Sequence, residues 1–373
     1  MSTAYPGLYI HVPFCAGKCC YCDFYSITDT GFIEVWLAGV LQELALYRYR
    51  FQTFDTVYFG GGTPSLLKPA VLASILEAVS TQFTIPAGAE ITIEANPQDI
   101  SESRAQELRA LGFTRLSLGI QSFDDRMLSF LTRRHHAAQA RAAYDAARAA
   151  GFENISIDLM YAVPGQSISQ WAITIEEACA LAPEHISCYQ LTVKEGTPLQ
   201  RRYARGEFHR ISEAQEEAFY STTVSLLRSH GYLHYEVSNF ARSTAFYSRH
   251  NQKYWNHIPY LGIGPAAHSF QDNVRWWNVS SVTEYGKRLN KGESPVAESE
   301  TLSPEQLRAE RLMLGFRTRH GIELSFFDNS SPTKEVLAQL AASQLIRISC
   351  NRVMPTTRGL LVADSIPSLF LSW

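Results

Sequence analysis

Short apolar runs and longer amphipathic stretches alternate along the first 190 residues of the chain. Apolar runs of this length, bounded by turn residues, predict buried strands, and apolar positions spaced three or four apart predict helices. Strands are predicted at 8–12, 56–60, 90–95, 115–120, 154–161 and 185–191. Helices are predicted at 32–49, 68–82, 101–111, 136–150 and 168–181. This alternation predicts an α/β fold with a parallel sheet, either doubly wound or a partial barrel.

Polar or glycine residues near the carboxyl ends of successive strands favour the barrel. They are Gly60 to Thr63, Glu94, Gln121 and Asp158. Any one of them could simply end a strand, but barrel enzymes place their chemistry at this face. Four in succession therefore predict a partial (β/α)6 barrel.

The pattern changes after residue 290, where KGESP reads as a boundary. Helices at 303–319 and 335–343, then IRISC and a turn at Asn351, predict a small α+β domain resembling a winged helix. The predicted division is a barrel at 1–240, a connecting segment at 241–295 and a C-terminal domain at 296–373.

Composition narrows the classes of function. The chain is 46% hydrophobic and 18% charged, with no apolar run long enough to span a membrane. Its start lacks the features of an export signal, so we expect a cytoplasmic protein. A net charge of -3 gives no reason to expect nucleic acid as a partner.

Seven cysteines are present, and four of them crowd at positions 15, 19, 20 and 22. In a chain without an export signal this crowding indicates metal binding rather than disulfides. The isolated Cys179, Cys188 and Cys350 are expected to be buried structural thiols.

The stretch HVPFCAGKCCYCDF places Cys15, Cys19 and Cys22 on a loop after the first strand. Thiolates select zinc or an iron-sulfur cluster. A closed zinc site would need a fourth ligand, for which Cys20 or His11 is available. A four-iron cluster with three protein ligands would leave one iron open to a chelating molecule. The residues alone leave both alternatives open.

The cysteine spacing, with the aromatic Tyr21 and the glycine loop at Gly60 to Ser65, resembles the radical S-adenosylmethionine (SAM) superfamily. The resemblance implies a [4Fe-4S] cluster whose open iron holds SAM. An electron from that cluster cleaves SAM to a 5′-deoxyadenosyl radical. The glycine loop would bind the amino group of SAM.

Further motifs narrow the resemblance to the coproporphyrinogen III oxidase-like group, and within it to the HemW-type haem chaperones. They include YIHVPFC, IEANP, RLSLGIQSFDD, IDLMYAVPGQ and GIGPAAHSF. The resemblance implies that Cys15, Cys19 and Cys22 hold the cluster. It implies that the following residues surround SAM: Tyr9, Tyr21, Gly61, Gly62, Thr63, Glu94, Gln121, Arg133 and Asp158. Salt bridging at the barrel mouth is the alternative role for the charged ones.

Two departures count against the oxidase, which carries a long segment before the cluster and a fourth cysteine two residues after the third. Here fourteen residues precede Cys15, and Phe24 holds the fourth position. The motif from His250 to Trp255 matches the His-Asn-x-x-Tyr-Trp motif of the chaperones, so His250 is expected to bind haem. His234, His257 and His268 are alternative iron ligands. Cys20, where the family usually has proline, is either inert or a competing ligand.

The leading hypothesis is thus a haem chaperone with the cluster and SAM as cofactors and with haem and an apo-haemoprotein acceptor as partners. It leaves open peripheral membrane association through the acceptor and a homodimer. The rival is an oxygen-independent coproporphyrinogen III oxidase, and a zinc-stabilised scaffold comes last.

Overall fold

The computed structural model describes residues 5–328 and 330–371. A large sheet of twelve strands and a small sheet of three strands are present in that part of the chain. The strands are β1 (Gly7–Val12), β2 (Thr56–Gly61), β3 (Glu90–Ala95), β4 (Arg115–Gln121), β5 (Ile155–Tyr161), β6 (His185–Gln190), β7 (Leu233–His234), β8 (Asn239–Ala241), β9 (Tyr260–Ile263), β10 (His268–Gln271), β11 (Val274–Asn278), β12 (Val296–Thr301), β13 (Ile322–Glu323), β14 (Ile346–Ser349) and β15 (Arg352–Pro355).

Thirteen α-helices lie in the described residues. They are α1 (Ile33–Tyr47), α2 (Pro69–Gln82), α3 (Glu102–Ala110), α4 (Asp125–Phe130), α5 (Ala137–Ala149), α6 (Ile168–Ala180), α7 (Pro198–Ala204), α8 (Glu213–Ser229), α9 (Arg249–Trp255), α10 (Val282–Asn290), α11 (Pro304–Phe316), α12 (Ser331–Ala342) and α13 (Thr357–Leu361). None of the helices described is long and apolar enough to cross a membrane.

Strands β1 to β6 form the parallel centre of the large sheet in chain order, and β9 pairs in parallel with the other side of β1. Their apolar side chains are buried on both faces, as in β1, where Leu8, Ile10 and Val12 are fully enclosed. Intervening helices cover the strands. The predicted partial barrel is confirmed, and all six predicted strands are found within two residues of their bounds.

Antiparallel strands extend the sheet at both ends. Strand β8 pairs with β6 and then with β7, while β10, β11 and β12 follow β9 at the other end. The large sheet therefore continues through residues 240 and 296, where domain boundaries were predicted. That division stays a prediction.

The C-terminal residues have a core of their own, which includes Leu312, Phe316, Leu337 and Val353. Helix α11, strand β13, helix α12 and the hairpin β14–β15 follow one another, and the sheet order is β13, β15, β14. This order is that of a winged helix, as predicted.

The hairpin turn contains Cys350 and Asn351, with φ of 50° and 57°. Two left-handed residues at the centre are what a two-residue hairpin requires. The prediction that Cys350 is buried is wrong, because this turn projects the residue into solvent. Cys179 and Cys188 are buried as predicted.

Candidate functional site

The loop after β1 carries all four crowded cysteines, on a segment whose two ends are hydrogen-bonded to each other. Cys15 N–H donates to Ile27 O (2.9 Å), and Ile27 N–H donates to Pro13 O (2.7 Å), so the loop returns to its own start. A turn in which Cys22 N–H donates to Cys19 O (3.2 Å) holds the other two together. Cys15, Cys19 and Cys22 are all half-buried. The loop thus presents three thiols at the carboxyl end of β1.

Cys20 is buried, unlike the other three cysteines of the loop. Its N–H donates to Thr132 Oγ1 (2.8 Å), and its side chain packs in a small apolar cluster with Met127 and Leu199. The Cys20 thiol donates to Phe130 O, with Sγ and O 3.5 Å apart. The geometry favours an inert Cys20 over a competing ligand.

Donors surround the sulfur atoms of the loop. Thr63 Oγ1 lies 3.5 Å from Cys15 Sγ, and Arg133 Nη1 lies 3.4 Å from Cys19 Sγ. The Arg133 Nε–H is buried without a partner among the described residues. A cation and a hydroxyl next to thiolate sulfur suit an electron-rich cluster, because hydrogen bonds and charge near the sulfurs set its potential.

No group of three His, Cys, Asp or Glu side chains placed to hold one metal ion is found in the described part of the chain. Each thiolate of a four-iron cluster binds a different iron, so its ligands need not converge on one point. The half-buried sulfurs and the unpaired Arg133 Nε–H fit such a cluster.

The glycine loop lies against the cysteine loop at distances that only glycine permits. Gly62 N–H donates to Val12 O (2.7 Å), and a Cβ on Gly62 would lie 2.7 Å from Phe14 O. Gly61 has φ of 104°, and its Cβ would lie 2.5 Å from the His11 ring. The close packing of the two loops therefore requires glycine at both positions.

Several predicted SAM residues face the barrel interior together. Gly61 N–H (3.2 Å) and Tyr58 Oη (2.7 Å) donate to the Glu94 carboxyl group, while Ser117 Oγ donates to Asp158 Oδ2 (3.1 Å). Burial raises the pKa of Glu94 to about 7 and also raises that of Asp158. Tyr9 packs on the Tyr58 ring, with centroids 6.1 Å apart. These groups can accept from hydroxyl or amine donors of a ligand.

The remaining predicted residues lie on the Arg133 side. Gln121 ends β4 with φ of 67°, and Arg133 Nη2 donates to Gly119 O (2.7 Å) just before it. Tyr21 is half-buried beside Arg133, and desolvation raises its pKa.

Sequence reasoning missed Asn96 and Tyr58. Asn96 Nδ2 donates to Thr63 Oγ1 (3.1 Å), and its Oδ1 accepts from Arg133 Nη2. Asn96 directly follows β3. The rule that selected the strand ends could therefore have found it.

His250 contacts this group of residues through Tyr58, on whose ring it stacks with centroids 5.0 Å apart. It is 1% exposed, its Nδ1 is 2.9 Å from Thr56 Oγ1, and its Nε2 is 2.8 Å from Tyr254 Oη. Thr56 begins β2, so His250 is near the amino-terminal end of the barrel. Both ring nitrogens of His250 are thus engaged in hydrogen bonds. Haem ligation by His250 stays a prediction and would require these hydrogen bonds to break.

The alternative histidines differ in access. His234 is buried and stacks on Phe240, with centroids 4.4 Å apart. His257 and His268 line two neighbouring cavities that share Tyr254 and Tyr260.

The larger cavity, of about 450 Å³, lies between the cysteine loop and β9–β10. Its lining is Tyr9, His11, Asp23, Phe24, Tyr25, Tyr254, Tyr260, Ala266 and His268. The smaller, of about 250 Å³, is lined by Tyr254, His257, Tyr260, Phe270, Arg275, Glu310, Met313 and Leu314.

Comparison with known proteins gives two family matches in this chain. Residues 9–178 match the radical SAM superfamily, and residues 302–362 match the HemN C-terminal domain. The heme chaperone HemW of Mycobacterium tuberculosis strain H37Rv is 36% identical, over 96% of this chain and 93% of the relative. HemW of Bacillus subtilis is 32% identical, over 97% and 98%.

A mouse relative, radical S-adenosyl methionine domain-containing protein 1, mitochondrial, is 32% identical over 98% of this chain and 88% of its own. Among solved structures, coproporphyrinogen III oxidase (HemN) of Escherichia coli superposes with a TM-score of 0.84 at 22% identity. The match covers 99% of this chain and 90% of that one. At that identity the similarity shows the fold alone.

Proposed function

The chain belongs to the HemW family of the radical SAM superfamily, and from this premise we propose that it is a haem chaperone. It would bind haem and pass it to an apo-haemoprotein, with a [4Fe-4S] cluster and SAM as resident cofactors. The observation that carries the proposal is similarity to chaperones named HemW along nearly the whole chain, through both the barrel and the C-terminal domain.

Cys15, Cys19 and Cys22 would hold the cluster, with Thr63 and Arg133 donating to its sulfur ligands. When bound, the cluster supplies an electron-transfer centre and an iron with an open position for SAM. Gly61, Gly62, Glu94 and Asp158 would bind the polar groups of SAM. Arg133 would balance negative charge at its carboxylate.

Phe24 supports the chaperone against the oxidase. The side chain is 64% exposed and forms part of the wall of the larger cavity. Phe24 stands two residues after Cys22, at the position where the oxidase carries its fourth cysteine, so the thiol of the oxidase is replaced here by an apolar ring. The cytoplasmic location, an acceptor at the membrane surface and a homodimer stay predictions.

The deciding experiment is anaerobic and uses the full chain with reconstituted cluster. One sample receives haem and a second receives coproporphyrinogen III with SAM and reductant. We expect stoichiometric haem binding, transfer of that haem to an added apo-haemoprotein, and no decarboxylation. Turnover to protoporphyrinogen would establish the oxidase instead.

A variant in which Cys15, Cys19 and Cys22 are all replaced by alanine serves as the control in both samples. If this variant still binds haem, the cluster is not needed for haem binding and its role lies in regulation or in transfer of haem. Absence of haem binding in the unmodified chain would reject the chaperone proposal.

A further inference from the structure

We propose that His268, and not His250, is the axial ligand of haem, and that haem occupies the larger cavity beside the cysteine loop. This inference rests on the haem chaperone function proposed above. It concerns which histidine presents a free nitrogen to a space that can hold the macrocycle.

The larger cavity has the size and lining that such a ligand needs. Its volume of about 450 Å³ falls within the range of small-molecule pockets, roughly 300–1,000 Å³. Aromatic rings from two separate parts of the chain contribute to its walls: Phe24 and Tyr25 from the cysteine loop, and Tyr260 from β9. Such walls pack well on a flat conjugated face.

Two histidines line this cavity, and only one of them has nitrogens to offer. His11 is 5% exposed, with Nδ1 3.2 Å from Tyr9 Oη and Nε2 3.0 Å from Tyr25 O. His268 is exposed, and neither ring nitrogen has a hydrogen-bond partner in residues 5–328 and 330–371. Its Nε2 is therefore available to an iron without loss of an existing bond.

The His268 ring is held in place without its nitrogens. It stacks on Trp277, with ring centroids 5.7 Å apart and planes inclined by 25°. His268 and Trp277 are paired across β10 and β11. Partial desolvation of the ring lowers the pKa of His268, which favours the neutral imidazole that binds iron.

The turn before His268 is anchored in the core. Glu43 is fully buried and accepts hydrogen bonds from Gly264 N–H (2.8 Å) and Asn278 Nδ2 (2.7 Å). Gly264 precedes β10, and Asn278 ends β11. The same carboxyl group thus fixes both ends of the segment that carries His268 and Trp277.

The position also explains how the HemW motif would contribute. His250 Nε2 contacts Tyr254 Oη, and Tyr254 lines the same cavity as His268. His250 would then act as a positioning residue: its hydrogen bond fixes the orientation of Tyr254, which lines the haem site.

The test is haem titration of the anaerobically purified full chain, followed by the Soret band. His268→Ala is expected to weaken haem binding by at least about 10-fold, since even an outer partner of a metal ligand is worth roughly 10–100-fold. Imidazole added to His268→Ala should give back the Soret band that the unmodified chain shows, because it can enter the exposed position that the side chain has left. The iron content of the chain before haem is added, and its SAM binding, should not change.

His257→Gln is the matched control, since His257 lines the neighbouring cavity and pairs with Glu310 (3.1 Å). It should bind haem like the unmodified chain. The proposal is overturned if His268→Ala binds haem with unchanged affinity and spectrum, or if imidazole rescues His257→Gln or His250→Ala instead. If the unmodified chain binds no haem, the function and this site are both rejected.

Discussion

At the scale of single residues, Glu43 couples the stability of the site to pH. Its carboxyl group accepts from Gly264, Asn278 and Tyr285, and burial raises its pKa from 4.5 to about 7. In the unfolded chain it titrates near 4.5. Between these values the folded state holds a proton that the unfolded state lacks, so stability falls as pH rises through that interval. The difference corresponds to about 3 kcal/mol at most.

Glu43→Gln removes this titration. The amide also loses one accepted hydrogen bond, at a cost of about 1–3 kcal/mol. We expect the variant to melt below the unmodified chain, with a gap that is largest near pH 5 and shrinks toward pH 8. Thermal unfolding at the two pH values measures it, and the exposed Glu77→Gln is the control. A gap independent of pH would contradict the raised pKa.

Glu94 and Asp158 test the SAM site in the same way. Replacing either with alanine removes an acceptor, and the loss of a hydrogen bond to a charged group is worth about 1.5–3 kcal/mol. SAM affinity should therefore fall by about 10- to 100-fold, while iron content is retained. Equilibrium binding and iron analysis give the two readouts. Asp145→Ala, on the outer helix α5, should change neither, and unchanged affinity in both site variants would give these residues a structural role.

At the scale of elements, the cysteine loop offers a test of the cluster, with Cys20 as the control for the three predicted ligands. Cys15→Ala, Cys19→Ala and Cys22→Ala should each abolish the brown colour and the roughly four irons per chain that a cubane carries. Cys20→Ala should keep both, because Cys20 is buried in an apolar cluster that includes none of the other three thiols. Stoichiometric zinc in the purified chain, without iron, would contradict the cluster.

The same scale shows what the sequence can and cannot predict. The parallel strands were predictable because their apolar runs are buried on both faces, which gives a signal independent of their partners. Helix α8 and strands β7 to β12 were not predicted. Strands as short as Leu233–His234 carry too few residues to show a period. For the site, the cysteine ligands could be predicted because their spacing is local in the sequence. The burial of His250 could not, because it depends on contact with Thr56, which is distant in the sequence.

At the scale of the whole molecule, most buried apolar residues of the C-terminal domain form a core of their own, although Leu360 of helix α13 belongs to the core beneath the large sheet. The C-terminal core should therefore loosen while the parallel strands stay protected. Gly359→Ala tests this, because a Cβ there would lie 1.9 Å from Leu345 O. Overpacking of this kind costs about 1–3 kcal/mol.

In Gly359→Ala we expect faster hydrogen exchange across residues 304–370 and no change in β1 to β6. Mass spectrometry of the exchanged chain measures both regions at once. The exposed Ser365→Ala in the same domain is the control. Equal acceleration in the barrel would mean that the two cores unfold as one unit.

The placement of β1 between β2 and β9 has a consequence for synthesis of the chain on the ribosome. The cysteine loop leaves the ribosome early, with β1, but one neighbour of β1 begins only at Tyr260. Domains form as units, and pairing between distant segments is slow. Until β9 arrives, the nascent thiols stand beside an unfinished sheet edge, open to oxidants and to free zinc. We therefore expect any iron-sulfur cluster on this loop to be assembled only after β9 has joined the sheet.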